Sequence, residues 1–230
     1  MQPVVRMMSA QGTVLTETTH RVLRNTYLLL AISMIPTVMG AMVGRSLQFT
    51  WLAAHPILGS LGVLAVMMGL IFGVQANRNN GLGVVLMLVL TGVFGVMLGP
   101  ILQVAAGLSN GTQLVTIAAA GTGVIFFTLA GIATVSKRDF SFMGKFLMIG
   151  LIVVFIAMLA NIFLQVPALS LTISAVAVLL FSGFILYDVS RVVNGGETNY
   201  IVAALAIYLD IYNLFVNLLH LLMAFAGERD

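Results

Sequence analysis

Apolar residues fall in seven long runs along this chain, at 27–44, 56–74, 81–102, 114–135, 146–164, 168–193 and 200–226. Each run is close to the ~20 residues that a helix needs to cross a bilayer. The pattern therefore predicts an all-α integral membrane protein of seven transmembrane helices. The links ANRNN, QVAAGLSNGTQ, SKRDFSFMGK, QVP and NGGETN are short, so neighbouring helices must run antiparallel and in contact. Pro36 predicts a kink in the first span, and Gly99-Pro100 predicts a bend or end near the close of the third. Gly69 and Gly73 in the second span, and Gly92, Gly95 and Gly99 in the third, are spaced for close helix packing.

The polar stretch 1–26 reads as a cytoplasmic tail, 27–226 as the transmembrane domain and 227–230 as a short periplasmic end. No apolar run precedes Tyr27, so the first span is expected to serve as a retained anchor rather than a cleaved leader. Residues 1–19, rich in Thr and Gln, lack a core-forming pattern and are expected to be disordered. Composition agrees with the membrane reading. Of the 230 residues 60% are hydrophobic and only 7% are charged, against about 25% in a soluble domain. The net charge of +3 comes from residues at helix ends and forms no patch that would hold nucleic acid. With no cysteine, disulfides, thiolate metal sites and Cys nucleophiles are excluded.

The candidate chemistry lies in residues 182–220, where two apolar helices meet at a polar turn and carry one aspartate each, Asp188 and Asp210. Asp188 stands about 8 Å from its helix end and Asp210 roughly 15 Å along the last span. Both rise from the same membrane face and can meet in its half of the bilayer. Beyond Asp210, the residues Asn213, Asn217 and His220 follow at roughly 300°, 340° and 280° around the helix, taking Asp210 as 0°. That is one polar stripe on an apolar helix. Lipid cannot satisfy it, and an intramembrane ionisable group is by default a functional candidate for proton sensing or an ion pathway.

Arg191, three residues past Asp188, is its candidate ion-pair partner. The bland alternative is that Asp188 pairs with Arg191 at a helix end, while Asp210 and His220 are hydrogen-bonded core groups. The set is poor for zinc. It is thin for calcium, for which Asp188 and Asp210 offer at most a weak site. No resident cofactor is expected. Paired aspartates on the sixth and seventh spans also suggest a presenilin-type aspartyl protease. Residues 207–210 read Ile-Tyr-Leu-Asp, without the glycine of the GxGD motif, and no other catalytic constellation is present. The chain does not read as an enzyme.

The strings LGPIL at 98–102, LYDVSRVV at 186–193 and YLDIYNLF at 208–215, set in seven spans, resemble the Bax-inhibitor (transmembrane Bax inhibitor motif) family over residues 20 to 228. HRVLRNTYLLL at 20–30, DFSFMGKFLM at 139–148, ANIFLQVPAL at 160–169 and GGETNYI at 195–201 are similar to its bacterial branch that modulates FtsH. The resemblance implies six helices around a central seventh. It also implies one of two activities. Some members associate with FtsH, a membrane AAA protease, and hold back its degradation of membrane proteins. For such a partner, the tail from Met1 to Thr19 is the expected point of engagement. Other bacterial members act as pH-sensitive calcium leaks, through an aspartate pair that falls on Asp188 and Asp210. Those members carry an Arg in the second span, whereas residues 56–74 here hold no charge.

Orientation follows from the basic residues. With the N-terminus in the cytoplasm of a bacterial inner membrane, Arg6, Arg21, Arg24, Arg78, Lys137, Arg138, Lys145 and Arg191 lie inside. Only Arg45 and Arg229 lie outside, which is the asymmetry that sets topology. The C-terminus is then periplasmic. A cysteine introduced at Asn110 should react with an impermeant reagent from the periplasm, and one at Asn79 should not. The reverse labelling pattern would overturn this orientation.

Overall fold

The structure is a computed structural model that describes residues 2–50, 54–136 and 138–227, with side chains described from 19 to 225 except at 56 and 57 and in those gaps. The side chains of the tail before Thr19, and residues 228–230 of the C-terminal end, lie outside the described residues. Eight helices are present among those residues: α1 (Gln2–Ser46), α2 (Pro56–Ala76), α3 (Gly81–Met97), α4 (Gly99–Ala106), α5 (Gly111–Ser136), α6 (Met143–Leu164), α7 (Pro167–Val193) and α8 (Tyr200–Gly227). They make seven apolar spans, because α3 and α4 together form one.

The break between α3 and α4 lies where Gly99-Pro100 was expected to bend the chain. Pro100 has no N–H, and its ring would strike the carbonyl of Val96, so α3 stops at Met97 and the proline sits in the first turn of α4. Pro36 acts differently, since α1 runs through it as one helix. The tail also departs from expectation, because its backbone is helical from Gln2 onward. Pro3 lies in the first turn, where a missing N–H costs nothing.

The last helix is the hub. α8 packs against α1, α2, α3, α4, α5 and α7, while α6 touches only α7. Its sequence is buried nearly all round, with Ile201, Ala204, Ile207, Tyr208, Leu214 and Leu219 almost inaccessible. The Tyr208 hydroxyl ties three spans together. It lies 2.8 Å from Thr37 Oγ1 on α1 and 3.3 Å from the Thr91 carbonyl on α3.

The two ends of the bundle are set by side-chain bonds to loop carbonyls. Asn199 Nδ2 donates to the Arg78 carbonyl, while Ser190 Oγ and Asn194 Nδ2 donate to that of Arg138. The links after α2, α5 and α7 therefore gather at one end. At the other end Gln103 Nε2 donates to the carbonyls of Gly44, Arg45 and Leu47. Arg78, Arg138 and Arg191 thus stand opposite Arg45, as the charge pattern requires.

α1 and α3 cross on glycine. A methyl added at Gly40 would meet the Gly92 carbonyl, one at Gly44 that of Val96, and one at Gly95 that of Thr37. The third-span glycines are therefore a helix seam, as their spacing predicts. The second-span pair is not. Gly69 has open space beside it, and Gly73 has only ordinary contact with Leu86 at 3.4 Å. Gly95→Leu should lower the melting temperature of the purified protein by the equivalent of about 1–3 kcal/mol of overpacking. Gly69→Ala should stay within about 0.5 kcal/mol of the parent. Equal effects at the two positions would refute the seam.

Candidate functional site: a carboxyl pair between the last two helices

Asp210 stands on the hub helix and is 6% exposed. α7 and α8 form an antiparallel hairpin, so the residue facing Asp210 comes from the final turns of α7, and it is Asp188. The two carboxyl groups lie within hydrogen-bonding reach of each other. Asp210 Oδ2 is fully buried and has no hydrogen-bond partner among the described residues. Two carboxyl groups so placed in a low-dielectric setting either share a proton, leaving one charge, or need a cation between them to be ionised together.

The turn between the helices fixes this meeting. Gly195 takes φ 75°, a left-handed conformation that suits glycine. The Gly196 N–H then bonds the Arg191 carbonyl at 2.7 Å, and the Gly195 N–H bonds that of Val192 at 3.2 Å. This Schellman cap closes α7 and turns the next residue, Glu197, back over it. Arg191 is held between two acids as a result. Its Nη1 lies 3.6 Å from Asp188 Oδ1 and its Nη2 3.7 Å from Glu197 Oε2, with the guanidinium 5.6 Å above the Tyr187 ring. The expected Asp188–Arg191 pair is thus present together with the aspartate pair, not in place of it. With Arg191 one-third exposed, the ion pairs contribute at most about 1 kcal/mol each. They matter chiefly for orienting Asp188.

The rest of the predicted stripe divides. Asn213 Nδ2 donates to the Leu209 carbonyl and Asn217 Nδ2 to that of Asn213, both at 2.8 Å, so both amides bond their own helix. His220 Nδ1 lies 2.9 Å from Ser174 Oγ on α7, at the far end of the hairpin from the carboxyl pair. Sequence reasoning missed Glu197 and Ser174. An acid six residues past Arg191 in a two-glycine turn was a usable signal for the first, and nothing in the local sequence marked the second. Among the described residues, no three His, Asp or Glu side chains gather around a metal position. The carboxyl pair falls far short of the about 6–8 oxygens that calcium takes.

Outside the membrane, the acid of the 137–142 link is Asp139. Hydrogen bonds from the Ser141 side chain and backbone hold its carboxyl below the usual range. It remains ionised across neutral pH, so a response in that range must arise elsewhere.

The family model described as inhibitor of apoptosis-promoting Bax1 matches residues 19–227. The chain belongs to the Bax-inhibitor family. Among relatives, it is 40% identical over 204 residues, 89% of this chain and 90% of the other, to the modulator of FtsH protease YccA of Escherichia coli K12. A second Escherichia coli strain has a match of the same extent named inner membrane protein YccA. An uncharacterized membrane protein of Vibrio cholerae is 41% identical over 204 residues, 89% of each chain. With seven apolar spans, this family member is a multi-pass inner-membrane protein.

If the Ser174–His220 contact joins α7 to α8, Ser174→Ala and His220→Ala should each cost about 1 kcal/mol of thermal stability. The double variant should cost little more than either alone. Fully additive losses would mean that the contact does not couple the two helices.

Proposed function

We propose that this protein binds an FtsH-type membrane AAA protease and restrains its attack on other membrane proteins. The observation that carries the reading is the 40% identity to the FtsH modulator, which extends over all seven spans rather than one module. The tail Met1 to Thr19 is the segment that the protease engages, since an AAA protease needs a chain end on its own side of the membrane. Tagged protein should co-purify with the protease from solubilised membranes. Deleting residues 1–19 should lengthen its half-life in cells that contain the protease, with the thermal stability of the bundle unchanged. Absence of co-purification, or an unchanged half-life, counts against the corresponding part of the proposal.

The carboxyl pair favours a second reading, a proton-gated cation leak with calcium as cargo. A proton shared between Asp188 and Asp210 binds α7 to α8 and closes the tail side of the bundle. Its loss leaves two negative charges that repel each other and attract a cation, so opening should increase as pH rises. Arg191 and Glu197 flank the pair where related leaks use an Arg of the second span. Calcium entry into proteoliposomes, followed across neutral pH, tests this. Asp210→Asn and Asp188→Asn should each abolish the pH dependence, and the double change should add little, because the two act as one unit. No flux at any pH would leave the pair a structural one. Flux whose pH dependence survives both changes would move the sensor to His220.

A further inference from the structure

α1 and α5 both pack on α8 and meet each other at the Tyr27 and Phe126 rings, edge to face with centroids 6.3 Å apart, but their backbones stay apart. The gap between them is a crevice of about 1220 Å³ with Tyr208, Tyr212 and Phe215 of α8 at its floor and α4 across one end. It opens sideways, between the strongly exposed Val38 and Met42 of α1 and Phe127 of α5. Its volume exceeds the about 300–1,000 Å³ of a drug-sized site.

Four of the five threonines in the walls are satisfied within their own helices. Thr37, Thr116, Thr122 and Thr134 line the crevice, and each donates its hydroxyl to a carbonyl of its own helix four residues back. Charge enters at one point only. Arg45, in the last turn of α1, is the one charged residue of the lining. Its guanidinium is exposed and has no acid or hydrogen-bond acceptor among the described residues. An apolar slot with one unanswered cation at its mouth is complementary to an amphiphile with an anionic head.

The shape of the crevice selects a lipid over a partner helix. From Arg45 to Tyr27 the crevice follows about 27 Å of helix, close to the whole hydrocarbon thickness of about 30 Å. Its two halves differ, however. The half near Arg45 is walled by small side chains, among them Ala41, Ala106, Gly111, Thr116 and Ala119, while the far half carries the rings of Tyr27, Phe126 and Phe127. The Tyr27–Phe126 contact bridges the far half, which leaves the crevice unbridged over the depth of one leaflet below the cation and suits acyl chains better than a rod crossing both leaflets.

We propose that the slot between α1 and α5 binds one anionic glycerophospholipid, its phosphate on Arg45 and its acyl chains along Ala41, Thr116 and Ala119. Neither Asp188 nor Asp210 lines the crevice, although Ile211, the neighbour of Asp210 in the chain, does.

Native mass spectrometry of the full-length protein in detergent, titrated with phosphatidylglycerol, phosphatidylcholine or glycerol phosphate, tests the proposal. One phosphatidylglycerol should remain bound in preference to phosphatidylcholine, and glycerol phosphate alone should not be retained. Arg45→Gln should weaken phosphatidylglycerol binding about tenfold, the scale of one charge-assisted hydrogen bond. Ala119→Trp, or Ala41→Phe from the opposite wall should the first misfold, should abolish it, whereas Phe163→Trp on the outer face of α6 should have no effect. Equal retention of the two lipids, binding unchanged in Arg45→Gln, or equal loss with Phe163→Trp would overturn it. So would a photo-crosslinker at Thr116 that captures a polypeptide rather than a lipid in native membranes.

Discussion

Asp210 puts a carboxyl group on the most enclosed helix of the bundle, where neither water nor lipid can answer it, and the arrangement of the last two spans follows from that constraint. A lone carboxylate at such a depth costs on the order of 3 kcal/mol on the insertion scale. A second carboxyl group from α7 meets it, and the left-handed Gly195 and the Schellman cap set the hairpin register at which the two meet. Arg191 and Glu197 then steady Asp188 from the aqueous side. The result is a site whose charge is decided by one proton or one cation, placed where two helices are joined. It is compatible with a structural clasp and with a gate, and flux measurements separate the two.

The glycine seam has effects on both sides of α1. Gly40 and Gly44 let that helix lie backbone to backbone on α3, and Tyr208 pins it to the hub through Thr37. A helix drawn so far toward one neighbour reaches the other only through the Tyr27 side chain among the described contacts, and the space left beside α5 is the lateral crevice. Close packing in one place and an opening in another are thus one arrangement of the same helix.

Much of this was legible in the sequence because the bilayer imposes simple rules. The seven spans follow from apolar run length, the break before Pro100 from the missing N–H, and the approach of Asp188 to Asp210 from two acids flanking one short turn. What stayed hidden depends on neighbours. Gly69 and Gly95 look alike along the chain, yet only Gly95 has a helix against it. Asn213 and Asn217 share the stripe of Asp210, but an asparagine can bond the carbonyl four residues back, and both do. Glu197 came into the site through a positive φ at Gly195, which a sequence marks only as a turn. The tail was polar enough to suggest disorder, yet its backbone is helical.

α6 meets the rest of the protein through α7 alone, and of its side chains only Leu147 is buried. It is an outrigger lashed to a single stave. A tilt of α7 away from α8 would sweep α6 through the surrounding lipid with no other helix to resist it. Small changes at the carboxyl pair would therefore be enlarged at the perimeter, and the thickness and stiffness of the bilayer would act back on the pair along the same arm.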